Sequence, residues 1–208
     1  MKFIQTGELL PGIFAVFNGQ VNFYLMKCGE KYVAFDAGAS IKMTQPELQK
    51  LAINPDDVAA VFCTHTDSDH IGGIDLFQHA KVYISGPEEQ MIDGSAKRAP
   101  LLGYNKLDRP YIKLEDGEVC AEYGTDIKCV VTPGHTKGSS CFLAGSRYLF
   151  AGDNFSLKNG KIRPFIRLLN MDNTEHKKSI AKITQLNNIE AAFTSHHGYT
   201  TSFAEAAV

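Results

Sequence analysis

The chain has no large charge of one sign, no paired cysteine motif and no hydrophobic run of membrane-spanning length. A formal net charge of -2 over 208 residues gives no electrostatic basis for binding nucleic acid or a membrane surface. No apolar stretch approaches the length needed to cross a bilayer. The opening residues, Met1 to Glu8, lack the apolar core of a secretion signal, so a cytoplasmic location is expected. The five cysteines (28, 63, 120, 129 and 141) are odd in number and scattered without a CxxC pair. Most lie in apolar, strand-like stretches and read as reduced core thiols. Linkers, repeats and low-complexity tracts are also missing, so one domain over residues 1–208 is expected.

What the sequence does have is concentrated in Thr64-His65-Thr66-Asp67-Ser68-Asp69-His70. Two imidazoles and two carboxylates follow directly on an apolar run from Val58 to Cys63 that reads as a buried strand. Alternate side chains leaving a strand end point to one side, so residues 65, 67 and 69 can face a common point. His70 joins them if the chain turns at Gly72-Gly73. Imidazole nitrogen and carboxylate oxygen are ligands of borderline and hard divalent ions. A loop that merely caps the next helix would explain Ser68 or Asp69 but leaves the clustering unaccounted for. Cys63, two residues before His65, is a weaker candidate ligand.

Strand-like runs occur at about 12–17, 21–26 and 32–35, followed by a helix over 45–51 and the strand at 58–63. Further strands are expected at 81–84, 111–114, 118–122, 127–131, 140–151 and 191–194, with a helix over 174–186. Strands in two batches, each followed by helix, suggest two sheets with helices outside. Three more polar groups stand just past apolar strands and beside glycine: His135 in Pro133-Gly134-His135-Thr136, Asp153 after Gly152, and the pair His196-His197 before Gly198. Polar groups at several strand ends on one rim form a shared site.

That order, with Phe35-Asp36-Ala37-Gly38 preceding it, resembles the metallo-β-lactamase fold superfamily over nearly the whole chain. The resemblance implies an α/β fold, a four-layer αββα sandwich with a metal site at one edge of the sheets. It implies that His65, Asp67 and His135 hold a first metal, that Asp69, His70 and His197 hold a second, and that Asp153 bridges them. His197 is preferred to His196 because the family places its histidine directly before glycine; His196 is then expected behind the ligands or facing substrate. Asp36 looks like the buried carboxylate that orients a ligand histidine, or else a strand-end turn residue.

Asp67 departs from the family pattern, where most hydrolases have His. Two zinc ions per chain are the default that the resemblance implies, but three carboxylates around them make a harder, oxygen-rich site that tilts preference toward iron or manganese. The expected activity is two-metal hydrolysis, in which a metal-bridging hydroxide attacks a small ester, thioester, lactone or phosphoester and Asp69 orients it. Two alternatives stay open: a diiron oxidoreductase resembling the flavodiiron reductases without their flavodoxin domain, and a non-catalytic ligand-binding module. The partner is a small molecule, with no nucleic acid or membrane expected. Arg163 and Arg167, among apolar residues of the 157–178 segment, are candidates for an acidic-substrate rim. Segments 94–110 and 157–178 are both candidate lids, and the sequence leaves the oligomeric state open.

Overall fold

The computed structural model describes residues 1–98 and 105–207. Seven strands form a first sheet in chain order: β1 (Gly7–Leu10), β2 (Ile13–Phe17), β3 (Asn22–Cys28), β4 (Lys31–Phe35), β5 (Val58–Phe62), β6 (Lys81–Ser85) and β7 (Ile112–Leu114). The first four are joined by antiparallel pairings and the last four by parallel ones. In the second half come β8 (Val119–Cys120), β9 (Ile127–Val131), β10 (Ser140–Ala144) and β11 (Tyr148–Phe150). A separate hairpin of β12 (Phe155–Lys158) and β13 (Lys161–Pro164) follows, then β14 (Ala191–Thr194) and β15 (Gly198–Thr200). The second sheet runs β15-β14-β11-β10-β9-β8.

Alternation along the strands sorts the side chains into three apolar layers. Val33 and Phe35 of β4, Ala60 and Phe62 of β5, Phe142 and Ala144 of β10, and Phe193 of β14 share one cluster between the sheets. Their alternates Ala34 and Val61 pack outward with Leu48 of α1 (Ile41–Lys50), Ile71 of α2 (Ser68–Ile71) and Phe77. Cys141, Leu143 and Ala192 pack outward on the other side. They meet Ile183 of α4 (Asn173–Thr184) and Phe203 of α5 (Phe203–Ala206), while the short α3 (Glu89–Ile92) follows β6. Helix, sheet, sheet, helix is therefore the layer order, as the resemblance implies. The middle layer is strongly aromatic: Phe35 stacks on Phe150 at 3.6 Å and Phe150 on Phe193 at 4.9 Å between centroids. Such stacking adds to simple area burial.

Several expected boundaries shift. Helix α1 starts at Ile41, not Gln45, because Ser40 supplies its N-cap by accepting from the Met43 amide at 3.3 Å. The run at 140–151 is a hairpin, β10 and β11, broken by a turn at Gly145 and Ser146 with positive φ. Strands β1 and β15 and the β12–β13 hairpin have no counterpart in the sequence reading. The excursion at 94–110 lies partly outside the described residues; its described parts, 94–98 and 105–110, contain no helix or strand. No helix among the described residues is long and apolar enough to cross a membrane.

Candidate metal centre

The centre is assembled from the ends of five strands on one rim of the two sheets. Strand β4 ends at Asp36, β5 leads to His65, Asp67, Asp69 and His70, β9 to His135, β11 to Asp153 and β14 to His196. Three overlapping groups result, each with ligand atoms within 4.8 Å of one another: His65, His70 and Asp153; His65, Asp67 and His135; and Asp69, His70 and His196. His135 Nε2 lies 3.5 Å from Asp67 and 3.6 Å from Asp153, while His196 Nε2 lies 3.4 Å from both Asp69 and Asp153.

Asp36 fixes how two of the imidazoles face the centre. Its backbone takes φ 67°, a left-handed conformation that Asp tolerates better than most residues. Its Oδ2 lies 2.8 Å from His70 Nδ1 and accepts from the Thr64 hydroxyl at 2.8 Å. Thr64 Oγ1 in turn lies 3.1 Å from His65 Nδ1. With its one proton given to Asp36, that hydroxyl accepts from His65. Both rings then carry their proton on Nδ1 and present Nε2 to the centre. Asp36 therefore orients imidazoles instead of only ending a strand.

The donor atoms fit a divalent cation. His65 Nε2, His70 Nε2 and Asp153 Oδ1 are buried and lack a hydrogen-bond partner among the described residues. Buried polar atoms are rarely left this way, and these three belong to one of the close groups. The surrounding carboxylates also favour positive charge at the centre. Burial opposes a proton on His70, but Asp36, Asp153 and Asp69 outweigh it and hold His70 well above the ordinary imidazole range. Burial likewise opposes ionisation of Asp69, yet His70 and His196 lower its carboxyl to about 2. Asp153 is held well below the carboxylate range by His70 and His196 despite its own burial.

His197 is the expected ligand that the structure does not bring in. After β14 the Ser195 amide donates to Gly152 O at 3.1 Å, extending the pairing with the β11 end and turning His196 toward Asp153. The His197 amide donates to Thr194 Oγ1, and its ring lies near Met1, Lys2 and the β12–β13 hairpin. Among the described residues it is thus His196, and not His197, whose ring joins the close donor groups. Cys63 lies in the outer cluster with Leu48 of α1 and Ile71 of α2 and joins none of the close donor groups. Arg163 is exposed and donates to Ile162 O of its own strand, and Arg167 is exposed in a short turn of helix over 167–169. Neither guanidinium is hydrogen-bonded or ion-paired to the centre among the described residues. Arg98 is: its Nη2 lies 2.7 Å from Asp67 Oδ2 and 3.2 Å from His135 Nε2.

Other contributors escaped the sequence reading. Glu88 is fully buried and joins the two ligand loops, accepting from the Thr66 amide and hydroxyl at 2.8 Å, the Thr136 hydroxyl at 2.6 Å and the Gly138 amide at 3.0 Å. It stands past strand β6 and beside Gly86-Pro87, the same strand-end context that exposes the ligands, so that signal was present. Gly138 permits this closeness, since a Cβ there would lie 2.0 Å from the Glu88 nitrogen. Asn105 donates to Asp67 Oδ1 at 3.1 Å. Phe165, following β13, roofs the centre with its ring 5.1 Å from His135 and 6.0 Å from His196. Asn105 carries no motif that would reveal it, whereas Phe165 lies in the apolar part of the 157–178 segment, expected from the sequence as a candidate lid.

Comparison with known proteins agrees with this architecture. The family model of the metallo-beta-lactamase superfamily matches residues 16–206. A probable polyketide biosynthesis zinc-dependent hydrolase of Bacillus velezensis is 32% identical over 124 residues, 58% of this chain and 48% of that protein. The matched stretch thus spans about half the length of that relative. A metallo-beta-lactamase family protein of Thermus thermophilus superposes with a TM-score of 0.73 at 20% identity, covering 96% of this chain and 78% of that one. The subclass B3 metallo-beta-lactamase of Bradyrhizobium japonicum does so with a TM-score of 0.73 at 17% identity, covering 93% and 78%. With a match over nearly its whole length and the same fold in these structures, the chain belongs to the metallo-beta-lactamase superfamily.

Proposed function

We propose that the protein is a metal-dependent hydrolase, with zinc as its native ion, acting on a small ester, thioester, lactone or phosphoester. The observation that carries this reading is the set of unpartnered, buried donor atoms on His65, His70 and Asp153, ringed by Asp67, Asp69, His135 and His196. The zinc-dependent hydrolase from Bacillus velezensis supports both the ion and the reaction class.

A divalent ion bound among these residues supplies Lewis acidity and lowers the pKa of water in its reach. The chain's own groups then have separable tasks. Asp36 and Thr64 keep His65 and His70 in the tautomer that offers Nε2. Asp153, within 3.7 Å of His70, His135 and His196, is the carboxylate common to all sides of the centre. Asp69 is the most open of its three carboxylates, with a side chain 33% exposed against 15% for Asp67 and 6% for Asp153. It is ionised at neutral pH and placed to accept a proton on the solvent side. Phe165 keeps water from the His135 side. Beyond it Ile166, Leu168 and Leu169 are exposed, and Leu168 is 95% so. This apolar lip suits a substrate with a hydrocarbon portion better than a compact, highly charged one.

The test is metal content of protein purified without added metal, followed by a panel of ester, thioester, lactone and phosphoester substrates. Zinc together with chelator-sensitive turnover is expected. Iron with oxygen or nitric-oxide reactivity would replace this reading with the redox one, and a metal-bound protein inert toward the whole panel would reduce it to a binding module.

A further inference from the structure

We infer that the Arg98 guanidinium occupies the place of one of the two metal ions expected for this fold, so that the centre takes a single tightly bound divalent ion. The inference rests on the metal-dependent reading and concerns how many ions that reading requires.

The two ends of the centre are not equivalent. At the His65–His70–Asp153 end every group has a buried donor atom without a partner. At the His65–Asp67–His135 end only His65 does. Asp67 Oδ2 faces Arg98 Nη2 at 2.7 Å, Asp67 Oδ1 accepts from Asn105 at 3.1 Å, and His135 Nε2 faces Arg98 Nη2 at 3.2 Å. The His135 carbonyl accepts from the other guanidinium nitrogen, Nη1. Arg98 is therefore held through three acceptors on two different loops, with its side chain only 17% exposed. A surface arginine that had merely strayed toward an acidic patch would not satisfy both of its terminal nitrogens in this way.

Charge points the same way. Asp67, Asp69 and Asp153 bring three negative charges to a buried site. For these three, whose oxygens face the centre, one divalent ion and one guanidinium make a neutral set, whereas two divalent ions beside the same guanidinium leave two positive charges, only one of which Asp36 behind His70 offsets. Guanidinium cannot relieve that excess by losing a proton. An ion entering the Asp67 end has to displace Arg98 from both Asp67 and His135. The exchange of the usual histidine for Asp67 then acquires a reason: a carboxylate is the partner that a guanidinium requires and a neutral imidazole is not.

The experiment is a Zn²⁺ titration of the full-length chain against a competing chelator, with metal counted by elemental analysis after passage over a chelating resin. It is run on the wild type, Arg98→Ala and the near-isosteric Arg98→Gln, each checked for folding by circular dichroism. One tight equivalent is expected in the wild type and two in the variants, with affinity at the Asp67 end improved about a hundredfold or more. The rise in melting temperature with added Zn²⁺ should gain a second step in the variants only. Two tight equivalents in the wild type, or one in both wild type and Arg98→Gln, would overturn the inference while leaving a metal-dependent enzyme intact. No tightly bound zinc in any of the proteins would overturn that reading as well. The wild-type count alone tests the inference if a variant fails to fold.

Discussion

At the scale of single residues, the sharpest distinction is between the neighbouring histidines. His196→Ala should weaken zinc binding at least tenfold, whereas His197→Ala should leave zinc affinity unchanged, because only His196 approaches Asp69 and Asp153. Equal losses in a chelator-competition assay would contradict that placement. The sequence favoured His197 through its position before Gly198, a habit of the family and not a physical constraint. What turns the His196 ring toward Asp153 is the Ser195 amide held by Gly152 O, a contact between segments far apart in sequence. Asp36, by contrast, was legible through the resemblance as a carboxylate that orients a ligand histidine, although which histidine it meets was not. Glu88 yields a pH signature. Burial pushes its carboxyl up to about 7 even with the Thr136, Thr66 and Gly138 donors around it. The folded state then binds this proton more tightly than the unfolded chain, so its contribution to stability falls as pH rises from about 4.5 through about 7. The change is on the order of 3 kcal/mol. Urea midpoints of zinc-free wild type and Glu88→Gln, compared at pH 5 and pH 8, should show the steeper decline in the wild type. Parallel declines would mean that Glu88 does not titrate in this range.

At the scale of elements, the strands that lead to the candidate ligands were readable because each is an apolar run ending in polar residues, clustered after β5 and beside glycine after β9, β11 and β14. The β12–β13 hairpin was not, since its Lys158, Lys161, Arg163 and Pro164 hide the alternation that strand recognition depends on. Its function follows from what it places: Phe165 against His135 and His196, with Phe155 and Ile162 in the outer cluster below. Phe165→Ala should cost roughly 3–5 kcal/mol in a denaturant titration, the usual range for a buried phenylalanine. Leu168→Ala, at the exposed tip, should change stability by less than about 0.5 kcal/mol and instead raise KM for substrates with long acyl groups. An unchanged KM across chain lengths would remove the lip from the substrate site. The segments holding Arg98 and Asn105 contain no helix or strand among the described residues, so no periodicity could have announced them. Only the tertiary fold shows that both embrace Asp67.

At the scale of the whole molecule, the centre straddles both sheets, with His65 to His70 from the first and His135, Asp153 and His196 from the second. A bound ion consequently ties the halves together, and stripping it should lower the melting temperature. The loss corresponds to about 2.7 kcal/mol when free zinc had stood at a hundred times its dissociation constant. A melting temperature indifferent to chelator would show that the ion adds nothing to the union already made by the aromatic layer around Phe35, Phe150 and Phe193. The same arrangement has a consequence for the growing polypeptide. Synthesis delivers His65, Asp67, Asp69 and His70 early, but His196 only after β14, a strand that lies inside the second sheet between β11 and β15. A nascent chain therefore has only part of the donor set while it is exposed to whatever metals surround the ribosome. The complete donor set comes together only once both halves have closed, so an ion held by all of it is expected to be captured after folding, by chains that have closed correctly.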